Sequence, residues 1–209
     1  MLQTNQVVSH RHARILDAAE ACFVRAGFHR TTVQDVAAEA GMSAGNLYRY
    51  FPSKDAIVAG LSERDRREVA ESFASMPDGD FMTAFRELGR RHFEDEGRGK
   101  AVLCLEIWAE AARNASVATL SAGMTEEVVG RLTDLLDRAR SAGNIAPAMD
   151  SRTVATLICT LADGLFVRRA IQPDFDPTTE IPPVMQVICA LVTGAVQPPC
   201  LEQQSKVVP

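Results

Sequence analysis

Residues 31–55 read Thr31-Thr-Val-Gln-Asp-Val-Ala-Ala-Glu-Ala-Gly-Met-Ser-Ala-Gly-Asn-Leu-Tyr-Arg-Tyr-Phe-Pro-Ser-Lys-Asp55, and this stretch decides the fold. Val33, Val36, Ala37 and Ala40 recur at helical spacing, and Gly41 ends the pattern. A second short helix is expected over 43–51, and Ser53, just after Pro52, is placed to cap a third. Helix, glycine turn and short helix together make the geometry that lays a second helix in the major groove of DNA. That helix opens on Ala44 and Gly45, small enough for close approach to base edges, with Asn46 beside them as a hydrogen-bonding residue. Tyr48, Tyr50 and Lys54 carry hydroxyls and an ammonium suited to phosphate oxygens, which set register without reading sequence. Leu47 and Phe51 belong to the core. Gln34 fits the far half of a capping box begun by Thr31, with Thr32 and Asp35 as the alternative register. Arg11 and Arg14 either steer the N-terminal arm toward DNA or form a solvated helix face.

Outward from this segment the periodicity stays helical, with no sustained alternation of period two. Residues 9–26 put Ile15, Ala18, Ala19, Cys22 and Phe23 on one face, and Gly27 ends that helix. Beyond Ser53 the expected helices run to about Ser75, then over about 79–96, 100–113, 115–141, 150–171 and 179–197. The fold class is therefore all-α with about nine helices. Residues 1–54 are expected as a helix-turn-helix DNA-binding domain, 55–197 as a larger helical domain, and 198–209 as a mobile tail.

The 209 residues carry 22 Lys and Arg against 27 Asp and Glu, so the chain is not basic throughout. Residues 1–54, however, hold six Lys and Arg against four Asp and Glu, so the excess of positive charge coincides with the suspected reader. No apolar run is long enough to span a bilayer, and no secretory leader is visible. Five scattered cysteines without a C-x-x-C pair read as free thiols in a reducing cytoplasm, with redox sensing as the minor alternative.

The pattern Thr32-Val-Gln-Asp-Val-Ala-x-x-Ala-Gly-Met-Ser-x-Gly-x-Leu-Tyr-x-Tyr-Phe-x-Ser-Lys-Asp closely resembles the DNA-binding motif of the TetR family of bacterial transcriptional regulators. The resemblance covers about 45 residues, from the first helix through Lys54. It implies a homodimer with an N-terminal three-helix reader on double-stranded operator DNA. It also implies a larger helical domain whose small-molecule effector weakens DNA binding, typically a repressor of neighbouring efflux or catabolic genes. By the same resemblance Thr32 is a phosphate-contacting cap and Gln34 a base-contacting position on the second helix. Ala44, Gly45 and Asn46 match the base-reading positions, and Tyr48, Tyr50 and Lys54 the phosphate contacts. Arg49 falls at a variable position that reaches a phosphate or a base. Tyr50 stands where many members have histidine, and Met42 where valine is frequent.

Effector contacts are expected on apolar faces of the second domain: Phe85, Leu88, His92, Leu103, Ile107, Trp108, Met124, Val128, Leu165 and Phe166. Glu106, Glu110 and Arg113 form the one polar face of their helix and are expected in solvent, with Arg113 pairing Glu110. Asp163, inside an apolar run, is expected near the pocket or the dimer seam. Dimerisation is expected through the last two helices, using Val154, Leu157, Ile158 and Leu161 on one and Val184, Val187, Ile188, Leu191, Val192 and Ala195 on the other.

Two other classes compete with a ligand-responsive regulator. A helical enzyme or metal-binding protein is disfavoured because the four histidines assemble no Ser/His/Asp or H-x-x-x-H pattern and no glycine-rich phosphate loop appears. No cofactor or metal is expected. An effector-independent DNA-binding protein is disfavoured by the long helical second half.

Overall fold

The computed structural model describes residues 2–74, 81–90 and 97–197. Among these the chain is all-helical, with nine helices: α1 (Leu2–Ala26), α2 (Val33–Glu39), α3 (Ala44–Leu47), α4 (Lys54–Ala74), α5 (Phe81–Arg90), α6 (Arg98–Ala111), α7 (Ala115–Ser141), α8 (Ser151–Ile171) and α9 (Pro177–Val192). The expected tail, 198–209, lies outside the described residues.

The caps explain the boundaries. Thr32, not Thr31, begins α2: its hydroxyl accepts from Asp35 N–H, and the Asp35 carboxylate accepts from Thr32 N–H at 2.8 Å. Thr31 is instead buried, donating its hydroxyl to the carbonyls of Gly27 and Cys22. Gln34 therefore has no capping duty and is exposed. Gly41 makes the turn into α3 at φ +63°, in the left-handed region that costs a residue with a Cβ. Asn114, Asp150 and Asp176 cap α7, α8 and α9 in the same way, side-chain oxygen to backbone N–H. The last helix begins two residues before its expected start because Pro177 suits the first helical turn, and it ends at Val192 rather than 197.

Two cores organise the helices. One gathers Ile15, Ala19 and Phe23 of α1 with Phe28, Val36, Leu47 and Phe51, and takes in Ile57, Val58 and Leu61 of α4, Leu103 of α6 and Val117 of α7. The other joins Phe85 of α5, Val129, Leu132 and Leu136 of α7, Val154 and Ile158 of α8, and Ile188, Leu191 and Val192 of α9. The first core thus runs across the boundary expected at residue 54, because α4 supplies both halves. The reader therefore shares one packed core with α4 and α6.

The second core corrects part of the expected dimer face. Val154, Ile158, Ile188, Leu191 and Val192 are buried within the single chain. Each helix has two apolar stripes, and these residues occupy the inner one. Leu157 and Val187 stand 38% and 47% exposed and Ala195 is exposed, so these face outward, with the half-buried Leu161 and Val184, which also pack against the second core, at the edge of the same stripe.

Candidate functional site

The reader is a small compact unit. The backbone of α3 extends past Leu47 as a tightened turn, with Tyr50 N–H bonding Leu47 C=O at 2.8 Å and Phe51 N–H bonding the same carbonyl at 3.0 Å. The helix expected over 43–51 is therefore one α turn followed by this tighter coil, begun by Ser43, whose hydroxyl accepts from Asn46 N–H. Leu47 and Phe51 anchor it in the core. Thr32, Gln34, Gly45, Tyr48 and Arg49 are exposed, and Ala44, Asn46 and Tyr50 are half-buried beside them. Tyr48, at 44% exposure, is a large aromatic ring held out from the core with no packing duty that demands it. Tyr50 is seated on α1: its hydroxyl accepts from Arg11 at 3.2 Å, and its ring meets His12 edge to face at 5.3 Å. Arg11 therefore orients Tyr50 from the first helix.

Lys54 takes a different place from the one expected. Its ammonium donates to Phe28 C=O at 2.7 Å and Thr31 C=O at 3.1 Å, and lies 4.0 Å from the centre of the Phe28 ring. Burial lowers its pKa, and the nearby carboxylates of Glu110 and Asp55 oppose that shift. It is a post between α4 and the α1–α2 loop.

The polar face of α6 also departs from expectation. Glu106 points at the reader, its carboxylate accepting Phe28 N–H at 2.7 Å. Gly27 lies close against it: at φ +81° it turns the chain out of α1, and a Cβ there would stand 3.2 Å from the Glu106 carboxylate. Glu110 is buried and paired with Arg113 at 2.8 Å, as the spacing predicted, and it also accepts from Asn114. Burial works to raise its pKa, but the hydrogen bonds from Arg113 and Asn114 outweigh it and hold the carboxyl below its ordinary value. Sequence reasoning missed this contact because a polar helix face reads the same whether it meets water or the polar edge of another unit. The turn residues Gly27 and Phe28 carry no separate mark of a partner.

The other face of α6 borders a cavity of about 250 Å³. Its described lining comes from α4, α5, α6, α7 and α8. Six expected effector contacts line it: Phe85, Ile107, Trp108, Met124, Val128 and Phe166. Trp108 and Phe166 meet edge to face across 6.4 Å between ring centres. Leu103 does not reach the cavity, because it belongs to the reader's core at 0% exposure. Leu165 is buried one position from Phe166 but turned away from the cavity. Leu88 and His92 lie outside the residues whose side chains are described. Ile158, expected at the dimer seam, lines the cavity instead.

Polar groups sit in this apolar wall. Lys100 of α6 pairs with Asp65 of α4 at 2.5 Å and with Glu68 at 3.6 Å. Burial opposes the Lys100 ammonium, yet the two carboxylates leave its pKa raised. Asp65 and Lys100 stand on different helices, so no local spacing announced the pair. Asp163 lines the cavity from α8, its pKa raised by burial. The Cys159 thiol is pushed up to about 11 by burial and then by Asp163, which keeps it protonated and poorly nucleophilic near neutral pH. Among the described residues no group of three His, Cys, Asp or Glu is placed to hold a metal ion, and no helix is long and apolar enough to cross a membrane.

A three-helix reader hinged through α4 and α6 to a cavity-bearing helical body defines a helix-turn-helix regulator. Residues 15–61 match the family described as bacterial regulatory proteins, tetR family, and residues 91–192 match that of the BetI-type transcriptional repressor, C-terminal. The chain belongs to the TetR family of transcriptional regulators. It is 28% identical over 156 residues to the HTH-type transcriptional regulator UidR of Escherichia coli K12, covering 73% of this chain and 78% of that one. The structure of Salmonella enterica GusR superposes with a TM-score of 0.75 at 24% identity, over 87% of this chain and 95% of that one. A SmeT–triclosan complex superposes equally well, TM-score 0.75 at 22% identity, over 87% of this chain and 90% of that one. Identities this low show a shared fold.

Proposed function

We propose that the chain is a homodimeric repressor that leaves its operator when a small lipophilic or aromatic molecule enters the cavity, and that it controls efflux or catabolic genes. The observation that carries this reading is the double role of α6. One face lines the cavity with Cys104, Ile107 and Trp108; the next turns hold the reader through Glu106 and the Phe28 amide. A ligand that fits only one arrangement of α6 shifts the population of reader positions by its difference in affinity for the two. The triclosan bound in the SmeT complex, an effector-sized aromatic in a protein of this fold, supports the ligand class.

On the DNA side, Gln34, Asn46 and Arg49 read bases, with Ala44 and Gly45 allowing approach, while Thr32, Tyr48 and Tyr50 contact phosphates. Lys54 supports the surface from behind. The outward stripe Leu157, Leu161, Val184, Val187 and Ala195 forms the subunit seam, which sets two readers one DNA turn apart.

Selection of bound fragments from a genomic DNA pool tests the reading. The expected motif is an inverted repeat with half-sites about one helical turn apart, roughly 10 base pairs. Aromatic compounds that raise the melting temperature should also release the DNA. Recovery of no enriched sequence at low salt would sink it.

A further inference from the structure

A chain of charged side chains runs from the cavity wall to the first helix of the reader. At the cavity, Lys100 of α6 donates to Asp65 of α4 at 2.5 Å, and Glu68 of α4 stands 3.6 Å from the same ammonium. All three line the cavity. One turn back on α4, Arg64 holds α1 instead: one terminal nitrogen donates to Asp17 at 2.8 Å and the other to Glu20. Glu68 joins the two halves, with one oxygen toward Lys100 and the other 3.8 Å from Arg64 Nε. Both separations are too long for hydrogen bonds. Arg64 Nε is buried and makes no hydrogen bond among the described residues.

A carboxylate poised between two cations gains a charge-assisted hydrogen bond by closing on either one, at the expense of the other. A buried N–H without an acceptor is costly, so the orphaned Nε marks where Glu68 goes once Lys100 lets it go. Closure there puts a carboxylate on each nitrogen of Arg64 and ties α1 more firmly to α4. Asp65 stays on Lys100, so the transfer strands no buried ammonium. Glu68 is half exposed and has room to turn. Resting on the effector reading above, we propose that Glu68 is the positioning residue that relays the cavity's state to the reader. An occupant that displaces Lys100 from Glu68 hands Glu68 to Arg64, and the tightened hold on α1 draws the reader off its operator. The device has what coupling between two sites requires, an element with two discrete arrangements that both sites bias.

The relay is testable without an effector. Asp65→Asn/Lys100→Gln removes the charges that hold Glu68 at the cavity without stranding one of them, and so imitates an occupied cavity. Glu68→Ala removes the relay at a half-exposed helix position that alanine suits. Two quantities are measured on the full chain for the parent, the paired variant, Glu68→Ala and their combination. One is affinity for DNA enriched from the genomic pool; the other is hydrogen exchange at Arg64 Nε by NMR, assigned through its loss in Arg64→Lys. The paired variant should bind that DNA at least about fivefold more weakly and exchange Arg64 Nε–H more slowly, and both changes should vanish when Glu68→Ala is added. Effects of equal size with and without Glu68 overturn the relay, as does a paired variant that binds like the parent. Tighter DNA binding by the paired variant overturns its sense. If the parent binds no DNA, the DNA reading fails, and exchange at Arg64 Nε decides the relay alone: no slowing in the paired variant overturns it. Lys100→Gln by itself, its amide still donating to Asp65, repeats the test if the paired variant folds poorly. The effector reading stands or falls separately, on the aromatic panel.

Discussion

Replacing Lys54 with methionine separates two accounts of the residue that every line of sequence reasoning merges. Methionine keeps the apolar stem against Phe28 and removes the ammonium. The structure then loses two charge-assisted hydrogen bonds, to the carbonyls of Phe28 and Thr31, in a partly buried setting. At about 1.5–3 kcal/mol for each bond to a charged group, discounted for partial exposure, the loss is on the order of 2–4 kcal/mol. For a chain of this size, at about 2–4 °C per kcal/mol, that corresponds to a fall of roughly 4–16 °C in melting temperature. The assay pairs thermal melting with operator affinity measured across a range of salt. A post predicts the lower melting temperature with an unchanged slope of log affinity against log salt in the protein that remains folded. A phosphate contact predicts nearly unchanged melting and a slope shallower by about one. Melting within about 1 °C of the parent, together with the shallower slope, would refute the reasoning and return Lys54 to the DNA surface.

Glu110 sets a pH dependence. Its folded carboxyl lies below its ordinary value of 4.5, so it adds stability above that value and loses it as pH falls through the depressed one. Glu110→Gln should therefore flatten the decline of melting temperature below about pH 4.5, and a decline as steep as the parent's would contradict the assignment. Cys159 should resist alkylation at neutral pH, because burial keeps it a thiol; mass spectrometry after iodoacetamide reads this, and rapid modification of the folded protein would overturn it. Val187→Asp, on the outward stripe, should turn a dimer into a monomer in light scattering, whereas a dimer surviving both this change and Leu157→Asp would place the seam elsewhere.

Much of the architecture was legible because local chemistry enforces it. Gly27, Gly41 and Gly143 end their helices at positive φ where the sequence placed the breaks, and α8 begins within a residue of its expected start, where Asp150 caps it. The capping register at Thr32 stayed open between two Thr residues one position apart. It was decided by tertiary structure, since Thr31 had to turn inward to satisfy carbonyls of the α1 turn. The reader was legible as a motif, but the work of Lys54 was not, because a lysine at a helix start reads alike whether it meets phosphate or its own backbone. The last two helices showed enough apolar residues for two stripes, and periodicity alone did not say which one faced inward. Leu103 read as cavity wall for the same reason: on a helix apolar nearly all round, only the neighbours decide which side meets a space and which a core.

The measurement that tests the central account most directly is fluorescence anisotropy of the parent protein on DNA from its own upstream region, with Tyr48→Phe, Gln34→Ala and Asn46→Ala beside it, repeated with the aromatic panel. The account predicts saturable, sequence-dependent binding. Tyr48→Phe should weaken it on all sequences, and Gln34→Ala or Asn46→Ala should relax it at particular base pairs by about 1–3 kcal/mol each. At least one compound should abolish it. Binding that none of the three variants changes would contradict the reader, and binding that no compound displaces, in a protein whose cavity those compounds demonstrably fill, would contradict the link between cavity and DNA.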